Sequence, residues 1–289
     1  MHTPEFSRRG AIGVLAATAA TAAMSSANSA ARKVLDPVRD MMTILKKLHM
    51  RADDGVYFWW LVGTKLGQID AAITPLFNME VGTIARVAHQ PDGGFDITTL
   101  EVVFYTDLNS GAQLRTWTNP YTGATLDVNH GPLGPGTVSY GPDGSRRSPR
   151  REMGGAIIEG TTKVGPAVVA GNDAWIRLDS TSKVTQKDGS GRPFLVNDWS
   201  IFHGNAAEVA DPAHSFVAAT SQLQEINGWS RWMNMGDRAG NITSRAVGAK
   251  VRAYAEMPAK WRGLMAENHA AIASNPVAAL DKPAARLDR

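Results

Sequence analysis

"VGTIARVAHQPDGGFDITTLEVVFYTDL" (residues 81–108) decides the fold class. Two runs rich in β-branched and aromatic residues flank Pro91-Asp92-Gly93-Gly94, a cluster with turn chemistry. The stretch therefore reads as strand, turn, strand. Upstream, "VYFWWLVGTKLGQI" (56–69) reads as an aromatic-rich strand, a turn at Gly63-Thr64 and a partner strand. Downstream, "LNSGAQLRTWTNPYTGATLDVNH" (108–130) adds two short strands, with turns at Asn109-Ser110-Gly111 and Tyr121-Thr122-Gly123. Short strands closed by regular turns are the pattern of an antiparallel sheet that curls or closes on itself. The alternating helices that a parallel, doubly wound sheet needs do not occur between residues 56 and 140.

Residues 131–152, rich in Gly, Pro, Ser and Arg, predict a long loop. Strand patterns resume over 154–184 and 192–205 and continue over 211–257, with a loop at 235–241. A helix opens the domain. Asp36 is its N-cap, Pro37 its first residue, and Val38, Met41, Met42, Leu45 and Leu48 form one apolar face before Gly55. A second helix begins at Pro258 and carries Trp261, Leu264, Met265 and Ile272 on one side. The expected organisation is a single β-rich domain over 32–275 and a loose C-terminal tail over 276–289.

Residues 1–31 are set apart. "SRRGAIGVLAATAATAA" (7–23) has the charged and apolar parts of a signal peptide, and cleavage is expected between Ala27 and Ala31. The paired Arg8-Arg9 after Ser7 points to the twin-arginine export machinery, and so to a periplasmic protein. The apolar run is too short for a membrane span, and no later segment reaches spanning length. No stable membrane insertion is expected.

The 289 residues include no Cys, which removes disulfides, thiolate metal sites and a Cys nucleophile. Beyond residue 31 the formal charge is only slightly positive. "SRRSPRR" (145–151) holds four Arg in seven residues. It reads first as an exposed Pro-containing loop, and second as a contact for phosphate or an anionic surface. Nothing else in the chain suggests nucleic acid.

The familiar motifs are absent: no Gly-x-Ser-x-Gly elbow, no phosphate-binding Gly-Lys-Ser/Thr loop and no His-Glu-x-x-His. No cofactor and no metal are expected. His is the natural acid–base residue, because it titrates near neutrality. His49 and His269 fall on the expected helices, and His89 precedes a turn. His130 stands at a strand end before Gly131-Pro132, where sites are commonly built. His130, His203 and His214 come from separate loops, and a metal site would need them to converge.

Eight Trp in a β-rich chain suit a cavity lined by rings, with a few polar groups to orient an apolar or aromatic ligand. Trp59 and Trp60 alternate, so one faces in and the other out. The candidate binding residues are Trp59, Trp60, Trp117, Asn119, Trp199, Trp229, Arg231 and Trp232. Arg115, Tyr121 and His130 are the candidate catalytic groups. "RTWTNPYTG" (115–123) gathers several of these at an Asn-Pro corner.

"FWWLVGTKLG", "PLFNMEVGTIAR", "TWTNPYTGATLDVNH" and "WSRWMNMGDRAGNITSRAVGAKV" together resemble a bacterial family known as domain of unknown function 1838. The likeness runs from about residue 38 to 265. The resemblance implies an association with bacterial breakdown of lignin-derived aromatic dimers, in which cofactor-independent lyases remove a hydroxymethyl group as formaldehyde. No residue role transfers with it. On that reading His130 or an Asp is the base, Tyr121, Arg115 or Arg231 holds a phenolate, and the Trp side chains pack the rings. Two other readings stand beside the lyase: a non-catalytic periplasmic binding protein for an apolar or aromatic ligand, and a metal-dependent hydrolase using His. The oligomeric state, a homodimer included, is left open. The fold expected from all of this is α+β and mainly antiparallel β: a curled sheet or β-barrel of the lipocalin or calycin kind, with a helix near each end.

Overall fold

The computed structural model describes residues 34–189 and 192–284. The leader assigned to 1–31 lies outside them. The described residues form one compact unit. Its first helix is α1 (Met41–His49). Then follow β1 (Gly55–Ile69), β2 (Ala72–His89), β3 (Phe95–Thr106), β4 (Thr116–Thr118), β5 (Thr125–Asp127) and β6 (Pro132–Tyr140). Next are β7 (Arg150–Met153), β8 (Ala156–Ala170), β9 (Asp173–Gln186) and β10 (Phe194–Asn205). After the short helix α2 (Ala206–Ala210) come β11 (Ala219–Asn227) and β12 (Asn241–Val251), then α3 (Ala259–Asn268) and α4 (Ala270–Ser274).

Ten strands form one antiparallel sheet in the order β6-β3-β2-β1-β12-β11-β10-β9-β8-β7, and β4 and β5 form a separate two-stranded ribbon. The sheet curls into a nearly closed barrel, as the turn rhythm implied. Its two edge strands, β6 and β7, share no ladder. Just before β7, Tyr140 bridges Arg146, and Arg147 N–H donates to Ser139 O at 2.9 Å. The rest of this seam is closed by side chains: Leu133 and Met153 pack with Ala156, Ile158 and Val184.

Three sequence expectations change. Gly63-Thr64 is not a turn. β1 runs unbroken through it and turns at Asp70-Ala71. A Cβ on Gly63 would lie 2.1 Å from Arg245 O and 2.7 Å from Ala246 Cβ, so glycine is there to let the neighbouring strand approach. Residues 131–152 are not one loop. Pro132–Tyr140 and Arg150–Met153 are the two edge strands, where a missing N–H does no harm to a ladder. Residues 276–284 are not a loose tail. Ala279 and Leu280 are buried beside Trp261, and Asp281 pairs with Arg86 at 2.7 Å.

Each end of the barrel is shut differently. At one end, α1 inserts Ile44, Leu45 and Leu48 against Tyr57, Trp59, Phe95, Ile176 and Phe202. Asp36 caps the preceding turn, accepting from the N–H groups of Val38 and Arg39. The helix ends on Lys250, whose Nζ donates to Lys47 O and Met50 O, each at 2.5 Å. At the other end, the β4–β5 ribbon and the 228–240 segment enclose Phe77, Trp117, Met233 and Met235, with Trp229 and Trp232 packed around them. Outside the barrel, α3 and the C-terminal segment cover β1–β3. Trp261 fits over Gly82, where a Cβ would stand 2.2 Å from the indole.

Leu48 is fully buried in the plug. Leu48→Ala is expected to cost about 2–5 kcal/mol in urea unfolding, the range for a core Leu truncation. A loss under about 0.5 kcal/mol, the level of a surface change, would show that α1 does not seal the barrel.

Candidate functional site

Along each barrel strand, alternate residues point inward. The pairing registers place one inward polar residue from each of six adjacent strands in a single row. Lys65 (β1) pairs with Ser244 (β12), Ser244 with Glu225 (β11), and Glu225 with Asp198 (β10). Asp198 then pairs with Ser180 (β9), and Ser180 with Thr162 (β8). The row is joined by hydrogen bonds. Lys65 Nζ and Ser244 Oγ both donate to Glu225 Oε2 at 2.5 Å. Thr162 Oγ1 and Ser180 Oγ lie 3.2 Å apart, and Arg146 Nε donates to Thr162 Oγ1 at 2.7 Å.

Part of this row borders a chamber inside the barrel with a volume of about 380 Å³. Lys65, Asp198, Glu225, Glu101, Arg146, Arg151 and Arg231 line it, together with Met79, Tyr105, Met153, Phe194 and Leu223. That size, and the mixture of apolar wall with a few charged groups, match small-molecule sites.

Electrostatics single out Asp198. Two carboxylates stand directly opposite each other, Asp198 and Glu225, an arrangement that is unfavourable when both are ionised. Lys65 and Ser244 hold Glu225. Asp198 Oδ1 is buried and has no hydrogen-bond partner. Burial, then the charges of Glu225 and Glu101, push the Asp198 carboxyl up to about 8, although Lys65 and Arg146 pull the other way. It is therefore mostly protonated at neutral pH. For Lys65, burial disfavours the ammonium, but Glu225, Tyr105 and Glu101 outweigh burial and hold it above its ordinary value.

The residues named from sequence are placed elsewhere, with one exception. Arg231 lines the chamber. His130 does not: its Nδ1 accepts from Tyr105 N–H at 3.1 Å, and its Nε2 faces Leu114 O at 2.5 Å. These contacts fix one neutral tautomer and tie the ribbon to β3. Burial, the leading cause, lowers its affinity for a proton. Arg115 is exposed and pairs with Glu267 at 2.6 Å. Asn119 is fully buried, donating to Met233 O and accepting from Tyr121 N–H, so the Asn-Pro corner clamps the ribbon onto the end of the barrel. Tyr121 packs edge-on against Trp229, and Trp117 against Trp232. These four rings belong to the barrel end rather than to the chamber wall.

Trp59 faces inward and donates to His49 O at 2.9 Å, while Trp60 packs outside under α3. Trp199 is on the outer surface, 38% exposed, as its parity opposite Asp198 requires. His203 pairs with Asp173, and His214 with Asp211. Among the described residues no three His, Asp or Glu side chains are grouped as a metal site, so the three histidines do not converge. The sequence did contain a signal for the row: a lone charged residue at the inward parity of an otherwise apolar face. Only the register identifies that parity.

The fold and site define a class: a nearly closed antiparallel barrel enclosing a charged chamber. The family model for the protein family of unknown function DUF1838 matches residues 56–133 and 193–285, and the chain belongs to that family. Comparison with curated proteins and with solved structures returns no match. No helix among the described residues is long and apolar enough to cross a membrane.

Lys65 and Glu225 keep 10% and 19% of their side-chain surface, so each relies on the other for charge balance. Lys65→Met is expected to cost about 3–5 kcal/mol by leaving Glu225 uncompensated. Adding Glu225→Leu should restore most of that loss in urea unfolding. Two independent, additive losses would show that the pair is not coupled.

Asp198 supplies a pH signature as well. Its folded-state value lies above its ordinary one, so the folded protein holds this proton more firmly than the unfolded chain. This group's contribution to stability therefore falls as pH rises from about 4 to about 8. Asp198→Asn should flatten the difference between unfolding at pH 5 and at pH 8.5. An unchanged difference would mean that Asp198 is not a buried acid.

Proposed function

We propose that the chamber is the active site of a cofactor-independent lyase, and that Asp198 is the acid that moves a proton on a small phenolic substrate. The observation that carries this reading is the Asp198 carboxyl. It is held near 8, in hydrogen-bond deficit, on the wall of a chamber large enough for an organic ligand. A perturbed acid in a cleft is the usual mark of acid–base chemistry, and a value near neutrality suits proton transfer in either direction.

The reaction that fits is loss of formaldehyde from an aromatic dimer bearing a hydroxymethyl group beside a benzylic C–O bond. Glu101 accepts the hydroxyl proton. The C–C bond to the hydroxymethyl carbon breaks, the alcohol becomes formaldehyde, and the bonding pair forms the new C=C bond. The benzylic C–O bond breaks with its electrons on oxygen, and Asp198 protonates that oxygen. Passing the proton from Glu101 back to Asp198 resets the site. The step is redox-neutral. Lys65 stays paired with Glu225 while this happens. With the twin-arginine leader, this reading places the activity in the periplasm. The N-terminal sequence of the exported protein would test that location.

The chamber also favours a second reading, a binding protein without turnover, because α1 and the Trp-rich ribbon shut its two ends. Incubation with phenolic dimers, following stilbene absorbance and released formaldehyde, separates the two. The lyase should lose activity as pH rises through about 8, and Asp198→Asn should lower kcat/KM by about 10²–10⁴. Quenching of Trp fluorescence by these dimers with no formaldehyde released would overturn the lyase and leave the binding protein.

A further inference from the structure

"SRRSPRR" (145–151) divides its four arginines between two roles. Arg147 pairs with Asp92, and Arg150 faces Glu159 at 4.0 Å, both on the exposed surface. Arg146 and Arg151 turn the other way and line the chamber. Neither has a carboxylate partner among the described residues. Arg146 spends its Nε on Thr162 Oγ1. The Nε of Arg151 is buried with no hydrogen-bond partner, and among the described residues its guanidinium makes one long hydrogen bond of 3.5 Å from Nη1 to Thr137 O.

Two glycines make room for them. A Cβ on Gly160 would lie 2.8 Å from Arg146 Nη1, and one on Gly136 would lie 3.1 Å from Arg151 Nη1. Gly136 is on β6 and Gly160 on β8, so the guanidinium pair sits at the seam, where the sheet has no ladder. Burial, followed by the neighbouring Arg146 charge, holds Arg151 below the ordinary arginine value. Two like charges are thus gathered in a partly desolvated place without a counter-charge of their own. The wider chamber is unbalanced in the same sense. Lys65, Arg146, Arg151 and Arg231 line it against Glu101 and Glu225 once Asp198 carries its proton.

We propose that Arg146 and Arg151 form an anion subsite at the seam that recognises a carboxylate on the ligand, so the natural substrate is an aromatic carboxylic acid rather than a neutral phenol. A planar carboxylate matches guanidinium donors and would give the Arg151 Nε the acceptor it lacks. The inference rests on the chamber being the ligand site, but not on turnover there.

Binding of 4-hydroxy-3-methoxycinnamic acid and of its methyl ester, measured by calorimetry on the full chain, tests the subsite. A charge-assisted pair of hydrogen bonds should make the acid bind about 10-fold tighter or more. Arg146→Met and Arg151→Met should each bring the acid down to the affinity of the ester, with circular dichroism showing that each variant is folded. Equal affinities in the unaltered protein would overturn the subsite, with no dependence on how the variants fold. So would discrimination that persists in both variants, or failure of the folded protein to bind the acid at millimolar concentration. Acid-selective binding without formaldehyde release from any dimer would leave the subsite standing and remove the lyase. Formaldehyde release at equal kcat/KM from acidic and neutral dimers would do the reverse.

Discussion

A curled sheet of ten strands encloses a lumen with two open ends and, because β6 and β7 share no ladder, a seam along its side. An empty lumen of this kind would expose inward apolar side chains to water, and the chain has to fill or cover each opening. α1 plugs one end with Ile44, Leu45 and Leu48. The β4–β5 ribbon covers the other, held by the buried amide of Asn119. The seam is closed by Met153 and Leu133, and by the two arginines of the hairpin that joins β6 to β7. What remains unfilled is the charged chamber.

Within that chamber, charge replaces packing as the organising constraint. The register brings two carboxylates face to face, and a single lysine cannot neutralise both. Lys65 and Ser244 both donate to Glu225, and Asp198 is left mostly protonated. A buried ionic network of this kind is an inefficient way to stabilise a fold, since apolar residues of similar volume generally do as well. Its presence on the wall of the chamber therefore supports a chemical use. Asp198 and Arg151 line the same chamber, so an acid and a cation border one space.

Several residues that look chemical in the sequence turn out to hold the barrel together. His130 has its ring nitrogens committed to the backbone of β3 and of the loop before β4. Trp117, Tyr121, Trp229 and Trp232 cover one end. Large rings with a polar tip are suited to that task, because they bury much area while still reaching a partner at the edge. The "TWTNPYTG" stretch builds the ribbon that covers one end of the barrel, with Asn119 clamping it to Met233.

The sequence by itself determined the antiparallel β class, the two helical regions, the turns at 91–94, 109–111 and 121–123, and that Trp59 and Trp60 lie on opposite faces of their strand. Each of these follows from local alternation, turn residues or helical spacing, which act over a few neighbouring positions. It did not determine where Gly63 or the Gly- and Pro-rich stretch 131–152 belonged, because both serve contacts between distant strands. Nor could it assemble the site. Lys65, Glu101, Asp198, Glu225 and Ser244 lie on five strands spread over about 180 residues. Each is an ordinary polar residue, and one step of register would send any of them to the outer surface. The register and curl of the sheet bring them together, and burial with the charges of Glu225 and Glu101 then raises the carboxyl of Asp198.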